Sequence, residues 1–396
     1  MLGLELLKFD HEPVEGGVGY FRIVSYVIEV LMAADFLSQC FDLLCGIAAL
    51  RCSGLGHGNL KGMQSVKGRR YYTMAVCLGP FSPMPHDIKD ALLIYNPTSG
   101  SKLHRRFEEI EQGVRILKDA GIAAELAPTT GPGSATQIAR QAVEHRRGMV
   151  IACGGDGTIN EIINGLAGSQ VPMALLPAGT ANILAKELRI PWDIPHVARL
   201  IPGGTIRRIA LGIAFPLNGN ATEMMPRTGR YFLSVGGAGP DGAIVNGVHK
   251  GLKDNAGILA YWWEGIHQLF GYSFPEICVR SNGQERKATI LIAGRTVNYG
   301  GPFKITTGAN LYENSFEFLI NSKKSRLEYL ACLPAIWMGT LRQMDGIETW
   351  KSAETIMEPV GSDPVFAQVD GEPVGQLPIA FKIVPDALSI IEPASR

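Results

Sequence analysis

From Ala91 onward the sequence alternates short apolar runs with segments of helical period, four times over before Ile190. Ala91-Leu92-Leu93-Ile94-Tyr95, residues 123–127, Met149-Val150-Ile151-Ala152 and residues 171–176 read as strands. Apolar positions recur at helical spacing behind each of them: Leu103, Phe107, Ile110, Val114 and Leu117, then Ile138, Ala142 and Val143, then Ile162, Ile163 and Leu166, then Ile183, Leu184 and Leu188. Strands that alternate with helices pair in parallel, with the helices as crossovers. Such sheets bind ligands beyond the carboxyl ends of their strands. The loops after the first, third and fourth strands are the ones rich in Gly, Asn and Thr. They are Asn96-Pro97-Thr98-Ser99-Gly100, Cys153-Gly154-Gly155-Asp156-Gly157-Thr158 and Pro177-Ala178-Gly179-Thr180-Ala181-Asn182.

The second of these loops has the most explicit chemistry. Three glycines around Asp156 let the backbone approach a bulky anion and supply positive φ where a turn needs it. The helix behind them points free N–H groups and a positive dipole end at the same place. The loop reads as a phosphate cradle holding one carboxylate. It also admits a purely structural reading, a Gly-rich turn in which Thr158 and Glu161 form a Thr-x-x-Glu capping box. Ser134 and Gln137 make a second such box at the start of the preceding helix.

Beyond about residue 204 strand-like runs dominate, at 206–213, 231–235, 276–280, 287–293, 303–306, 316–320 and 366–369. Asn282-Gly283 marks a hairpin turn, and helices are expected at 241–271 and 325–338. The expected fold is therefore α/β plus β: a doubly wound parallel α/β domain over residues 88–203, then an antiparallel β-sandwich over 204–396 whose last strand is free to return to the first domain. The cleft between them is the default substrate site. Residues 1–86 form an N-terminal extension, amphipathic or disordered. Its apolar part, residues 20–50, is interrupted by Arg22, Glu29, Asp35 and Asp42, which argues against a membrane-spanning helix. An amphipathic helix on a membrane or on the protein body suits it, and the acidic face favours protein at least as much as lipid. Residues 51–87 read as a linker, and no signal peptide is evident.

Lys and Arg number 37 against 37 Asp and Glu, which argues against a protein that coats nucleic acid. Cys40, Cys45, Cys52, Cys77, Cys153, Cys278 and Cys332 include no C-x-x-C pair, so reduced thiols and no structural zinc are expected. Cys153 reads as a small buried strand residue, and His86 and His104 have no partner at metal spacing. Lys102 and Arg105 either reach phosphates or are solvated helix charges.

Six motifs in order resemble the diacylglycerol-kinase catalytic family, in its soluble bacterial lipid-kinase branch. They are Asn96 to Gly100, Gly154 to Thr158 with Asn160-Glu161, Pro177 to Asn182, Gly239-Pro240-Asp241-Gly242 with Tyr261, Asn298-Tyr299-Gly300-Gly301, and Val369-Asp370-Gly371-Glu372. The resemblance implies a two-domain kinase that uses ATP and Mg²⁺ to phosphorylate a lipid hydroxyl. It implies that Asn96, Ser99, Gly154, Gly155, Asp156, Gly157, Thr158, Glu161 and Asn182 hold the nucleotide, with Thr130 and Thr180 lining its site. Asp156 would orient Mg²⁺, directly or through water. Asp370 would be the general base, supported by Glu372. Phosphoryl transfer is mainly positioning and charge neutralisation, plus one acceptor for the hydroxyl proton, so these residue types suit it. Read without the family, Asp370-Gly371 is a hairpin turn. The aromatic stretch Tyr261-Trp262-Trp263 with Leu269-Phe270 is core or the wall of a lipid cleft.

The chain departs from the family at two places. Ile183 stands where many relatives have Asp after the Gly-Thr-x-Asn motif. Asn310-Leu311-Tyr312-Glu313-Asn314 replaces an Asp-Asp-Gly-like run tied to a second, structural Mg²⁺, leaving Glu313 as the one carboxylate for that metal. The expected protein is cytoplasmic and touches the inner membrane surface peripherally, taking ATP and a diacylglycerol-like lipid; a homodimer is compatible with this. The alternatives are an NAD kinase, which shares the Gly-Gly-Asp-Gly-Thr loop, and a non-catalytic binding relative.

Overall fold

The structure, a computed structural model, describes residues 82–83, 88–99, 103–179, 181–217, 229–251, 272–299 and 303–394. The expected N-terminal helix, His86, Gly100, Lys102, Thr180 and the Tyr261 to Phe270 stretch lie outside the described residues.

The first half is a parallel sheet. Its strands β1 (Asp90–Tyr95), β2 (Ala123–Pro128), β3 (Met149–Gly154) and β4 (Met173–Pro177) stand in the order β2-β1-β3-β4. Every residue of β3 and β4 is buried, as expected of apolar runs covered on both faces. The strands are followed in turn by helices α1 (Leu103–Asp119), α2 (Ser134–Glu144), α3 (Asp156–Leu166) and α4 (Ile183–Glu187), and α5 (Ile194–Leu200) comes after α4. Ile110 and Leu117 of α1 are in the core, whereas Phe107, on the same expected stripe, is 43% exposed.

The second half is a sandwich of antiparallel strands. In chain order these are β5 (Thr205–Pro216), β6 (Arg230–Phe232), β7 (Val235–Ala238), β8 (Ile277–Ser281), β9 (Gln284–Ala288), β10 (Ile290–Gly294) and β11 (Phe316–Asn321). Then follow β12 (Ile347–Ser352), β13 (Glu354–Pro359), β14 (Phe366–Val369), β15 (Glu372–Gln376) and β16 (Ile379–Glu392). Helix α6 (Pro240–Gly251) follows β7, and α7 (Arg326–Met338) follows β11. One sheet has the order β12-β11-β10-β7-β14-β15. The other, β9-β8-β13-β16, continues into the parallel sheet, because Ile390 of β16 pairs in parallel with Met173 of β4. β5 runs antiparallel to β16 along most of its length.

Aromatic rings fill the space between the two sheets. Phe232 stacks on Phe316 at 5.5 Å and meets Phe381 at 5.4 Å. The close fit needs Gly212, where a Cβ would come within 2.5 Å of the Phe232 ring.

Two expected strands are each divided. The run 287–293 crosses from one sheet to the other at Thr289, whose N–H leaves the ladder for the Asn321 carbonyl. The run 231–235 breaks at Leu233 and Ser234, whose N–H groups turn to the Asp370 carboxylate. Strands β12 and β13 are not foreseen by the sequence patterns. Among the described residues no helix is long and apolar enough to cross a membrane.

Candidate active site

The carboxyl ends of β1, β2, β3 and β4 carry Asn96, Thr130, the 154–158 loop and Asn182. These loops are cross-linked by their own side chains. Asn182, at φ 40°, accepts from the Gly179 N–H at 2.6 Å and donates to the Gly154 carbonyl at 2.9 Å. Asp156 accepts from the N–H groups of Asn182 at 2.9 Å and Ile183 at 2.7 Å, so it caps α4. Burial pushes its pKa up against these donors, its own N–H and the Lys186 charge. Asn96 turns back to accept from the Thr98 N–H at 2.9 Å and hydroxyl at 2.8 Å, and Ser99 donates its N–H to the Asn96 carbonyl.

The glycines of the loop act differently from the expectation. None of Gly154, Gly155 and Gly157 has positive φ. Gly155 instead faces Gly179 across a gap that a side chain would close, since a Cβ on Gly179 would lie 2.4 Å from the Gly155 Cα. Both capping boxes are also absent. Gly155 caps α3 with no side-chain bond, and Gly133 does the same for α2. Glu161 reaches across to α2 and accepts from the N–H groups of Gly133 at 2.8 Å and Ala135 at 3.1 Å. Ser134 closes the turn before α2, accepting from the Thr130 N–H at 3.1 Å.

Asp370 arrives from the sandwich. Asp370 and Gly371 both have positive φ, 48° and 81°, in the two-residue turn between β14 and β15. They are therefore the hairpin turn read from sequence, with the side chain turned inward. Its Oδ1 accepts from the N–H groups of Ser234 and Val235, both at 2.9 Å. Its Oδ2 accepts from the Leu233 N–H at 2.8 Å and from Asn160 Nδ2 at 2.9 Å. Four donors favour the carboxylate, but withdrawal from solvent outweighs them and raises its pKa. Asn160 sits one turn into α3, and so ties the Asp156 loop to Asp370 directly.

Asp156, Asn160 and Asp370 line one cavity of about 470 Å³. Most of its remaining wall is aliphatic, including Ile244, Val245, Ile290, Ile292, Ile305 and Leu319. A second polar group also faces it. Asp241 of α6 accepts from the Tyr299 hydroxyl and, at 2.6 Å, from Gln368 Nε2. Gln368 in turn accepts from the Gly371 N–H at 2.8 Å. Burial raises the Asp241 pKa. The sequence showed Asp241 and Tyr299 only as motif members, and Gln368 carried no signal at all. Their meeting depends on β7 pairing Gly237 with Gln368.

Glu372 starts β15 opposite Val369 and is not part of the cavity wall. Arg105 pairs with Glu109 at 3.3 Å on the surface of α1. Cys153 is buried and its thiol is pushed up to about 12 by desolvation, as befits an inert strand residue. Glu313 pairs with Lys351 Nζ at 2.6 Å and accepts from Ser315 Oγ at 3.3 Å. Among the described residues no group of three His, Cys, Asp or Glu side chains is placed to hold a metal.

Residues 90–214 match the family model of the diacylglycerol kinase catalytic domain. Residues 234–392 match that of the YegS C-terminal NAD kinase beta sandwich-like domain. The chain carries a diacylglycerol kinase catalytic domain over residues 90–214. It is an enzyme of the lipid-kinase class. It is 27% identical over 314 residues to the diacylglycerol kinase of Bacillus subtilis (strain 168), covering 78% of this chain and 98% of that one. It is 26% identical over 309 residues to the diacylglycerol kinase of Staphylococcus saprophyticus, covering 77% and 96%. The crystal structure of a diacylglycerol kinase from Bacillus anthracis str. Sterne shares the fold, with TM-score 0.55 at 18% identity over 77% of this chain and 97% of that one.

Proposed function

We propose that this chain transfers the γ-phosphoryl group of ATP to a hydroxyl of diacylglycerol or a related long-chain lipid, working at a membrane surface. One observation carries the reading: the Asp370 carboxylate and the Asp156 loop share a cavity whose remaining wall is mostly aliphatic. A lipid could bury an acyl chain there with its hydroxyl beside Asp370, and the phosphates would come from the Gly154 side. A second nucleotide such as NAD would find few polar partners along such a wall.

On this reading the residues divide by role. Backbone N–H groups of the 154–158 loop, with Asn96, Ser99, Thr130, Glu161 and Asn182 around them, form the nucleotide end. Several of these act on the loops rather than on phosphate, since Asn182 and Glu161 spend their side chains on neighbouring backbone. The N–H groups of Asn182 and Ile183 go to different oxygens of Asp156, and its carboxylate keeps acceptor capacity for a nucleotide-bound Mg²⁺ or its water. When bound, that cation neutralises charge on the transferring group. Asp370 accepts the proton of the lipid hydroxyl when one of its four N–H donors gives way, and the side-chain donor Asn160 is the one free to move. The same reading divides the working chain into an α/β domain at 88–203 and a sandwich at 204–396.

The test offers radiolabelled ATP and Mg²⁺ with a total lipid extract, with purified diacylglycerol and with NAD. Label is expected in a lipid acidic product and not in NADP. Asp370→Asn should lower transfer by at least about 10²-fold, the usual range for loss of a general base, with ATP binding kept. Label in NADP alone, or unchanged turnover by the variant, would refute the assignment.

A further inference from the structure

The loop at residues 310–315 already contains a cation. Arg295, just after β10, is 0% exposed. Its Nη2 donates to the Leu311 carbonyl at 2.6 Å, and its Nη1 to the carbonyls of Glu313 at 3.0 Å and Ser315 at 3.5 Å. The two terminal nitrogens of the guanidinium thus face three backbone oxygens, while its buried Nε has no partner. The nearest carboxylate, Glu313, turns outward to Lys351. Burial lowers the Arg295 pKa to about 10, which still leaves the group charged at neutral pH.

We infer that the Arg295 guanidinium is the resident cation of this loop, in place of the second, structural Mg²⁺ that the family resemblance implies. Mg²⁺ asks for about six oxygens at roughly 2.0–2.1 Å in near-octahedral geometry. Here the inward carbonyls already face N–H donors, and the only carboxylate of the run is held by a lysine. A metal sharing those carbonyls would stand beside a like charge in a poorly solvated place, where repulsion is strongest. Planar guanidinium is suited to several fixed acceptors at once, and it is less strongly hydrated than an ammonium.

The loop matters because it joins the two halves. Leu311 is packed in the core of the parallel sheet. The Tyr312 ring lies 4.1 Å from the Arg207 guanidinium, and its hydroxyl meets Glu392 at 2.5 Å. Arg207 and Glu392 stand on β5 and β16. Arg295 therefore fixes, from the sandwich side, a loop that grips the α/β side. The inference is independent of which lipid is phosphorylated.

Thermal unfolding of the full-length protein tests it, without nucleotide, in EDTA and again in excess MgCl₂. The wild-type Tm is expected to move by less than about 1 °C between the two, and Glu313→Gln to show the same indifference. Arg295→Met should melt at least roughly 5 °C lower, because it leaves buried carbonyls without donors. Arg295→Lys should fall between, and it carries the comparison if the Met variant does not fold. A wild-type Tm that drops several degrees on chelation and returns with Mg²⁺ would overturn the inference. So would an Arg295→Met or Arg295→Lys protein that melts like wild type.

Discussion

At the scale of single residues, Asp370 is pulled two ways. Three backbone N–H groups and Asn160 point at its carboxylate, and each favours the ionised form. Loss of solvent favours the neutral form and prevails, so the pKa lies above its usual value of about 3.9. A base must be ionised to accept a proton. Transfer is therefore present above the raised pKa and lost as pH falls through it. The kcat/KM profile should show an acid limb centred above the ordinary Asp range, measured with diacylglycerol at saturating ATP. A profile flat down to about pH 4 would separate Asp370 from the proton transfer. Asp156 also titrates high, so Asp156→Asn in the same profile identifies which carboxylate sets the limb.

At the scale of elements, the parallel strands were legible because buried strands and helical periods differ plainly in sequence. The sandwich was read less well, for physical reasons visible in particular strands. Ile290 and Ile292 of β10 line the cavity, while Leu291 and Ala293 pack between the sheets. With both faces apolar, the run shows no alternation and hides both the cavity and the break at Thr289. Leu233 and Ser234 look like continuing strand, but a carboxylate from more than a hundred residues away takes their N–H groups. Glu161 and Thr158 have capping-box spacing, but spacing cannot show that a neighbouring helix start is closer. The Gly155–Gly179 contact makes a testable claim at this scale. Gly179→Ala would drive a methyl into the Gly155 backbone, 2.4 Å from its Cα. Backbone cannot yield as a side chain can, so the two loops must part. The KM for ATP should rise by about tenfold or more, with the KM for lipid nearly unchanged. An equal rise in both would mean that the loops do not form a nucleotide end.

At the scale of the whole molecule, β16 makes one sheet out of two. It pairs with β13 in the sandwich, with β5 along its length, and with β4 of the parallel sheet. A carboxylate at the end of β3 and another from the β14–β15 turn are thereby brought to the lining of one cavity. The aliphatic lining then becomes a statement about substrate size. Ile292 reaches that cavity from the middle of β10 and is 7% exposed. Ile292→Phe adds volume to a wall without adding charge, and some strain is taken up by the empty space beside it. If acyl chains occupy this space, the enlarged side chain competes with the methylenes of long chains more than with short ones. Each displaced methylene is worth about 1 kcal/mol in such a pocket. The ratio of kcat/KM for long-chain over short-chain diacylglycerol should therefore fall by roughly tenfold, while the KM for ATP stays as it was. An identical loss for both chain lengths would place the acyl chains elsewhere and leave this cavity without a lipid.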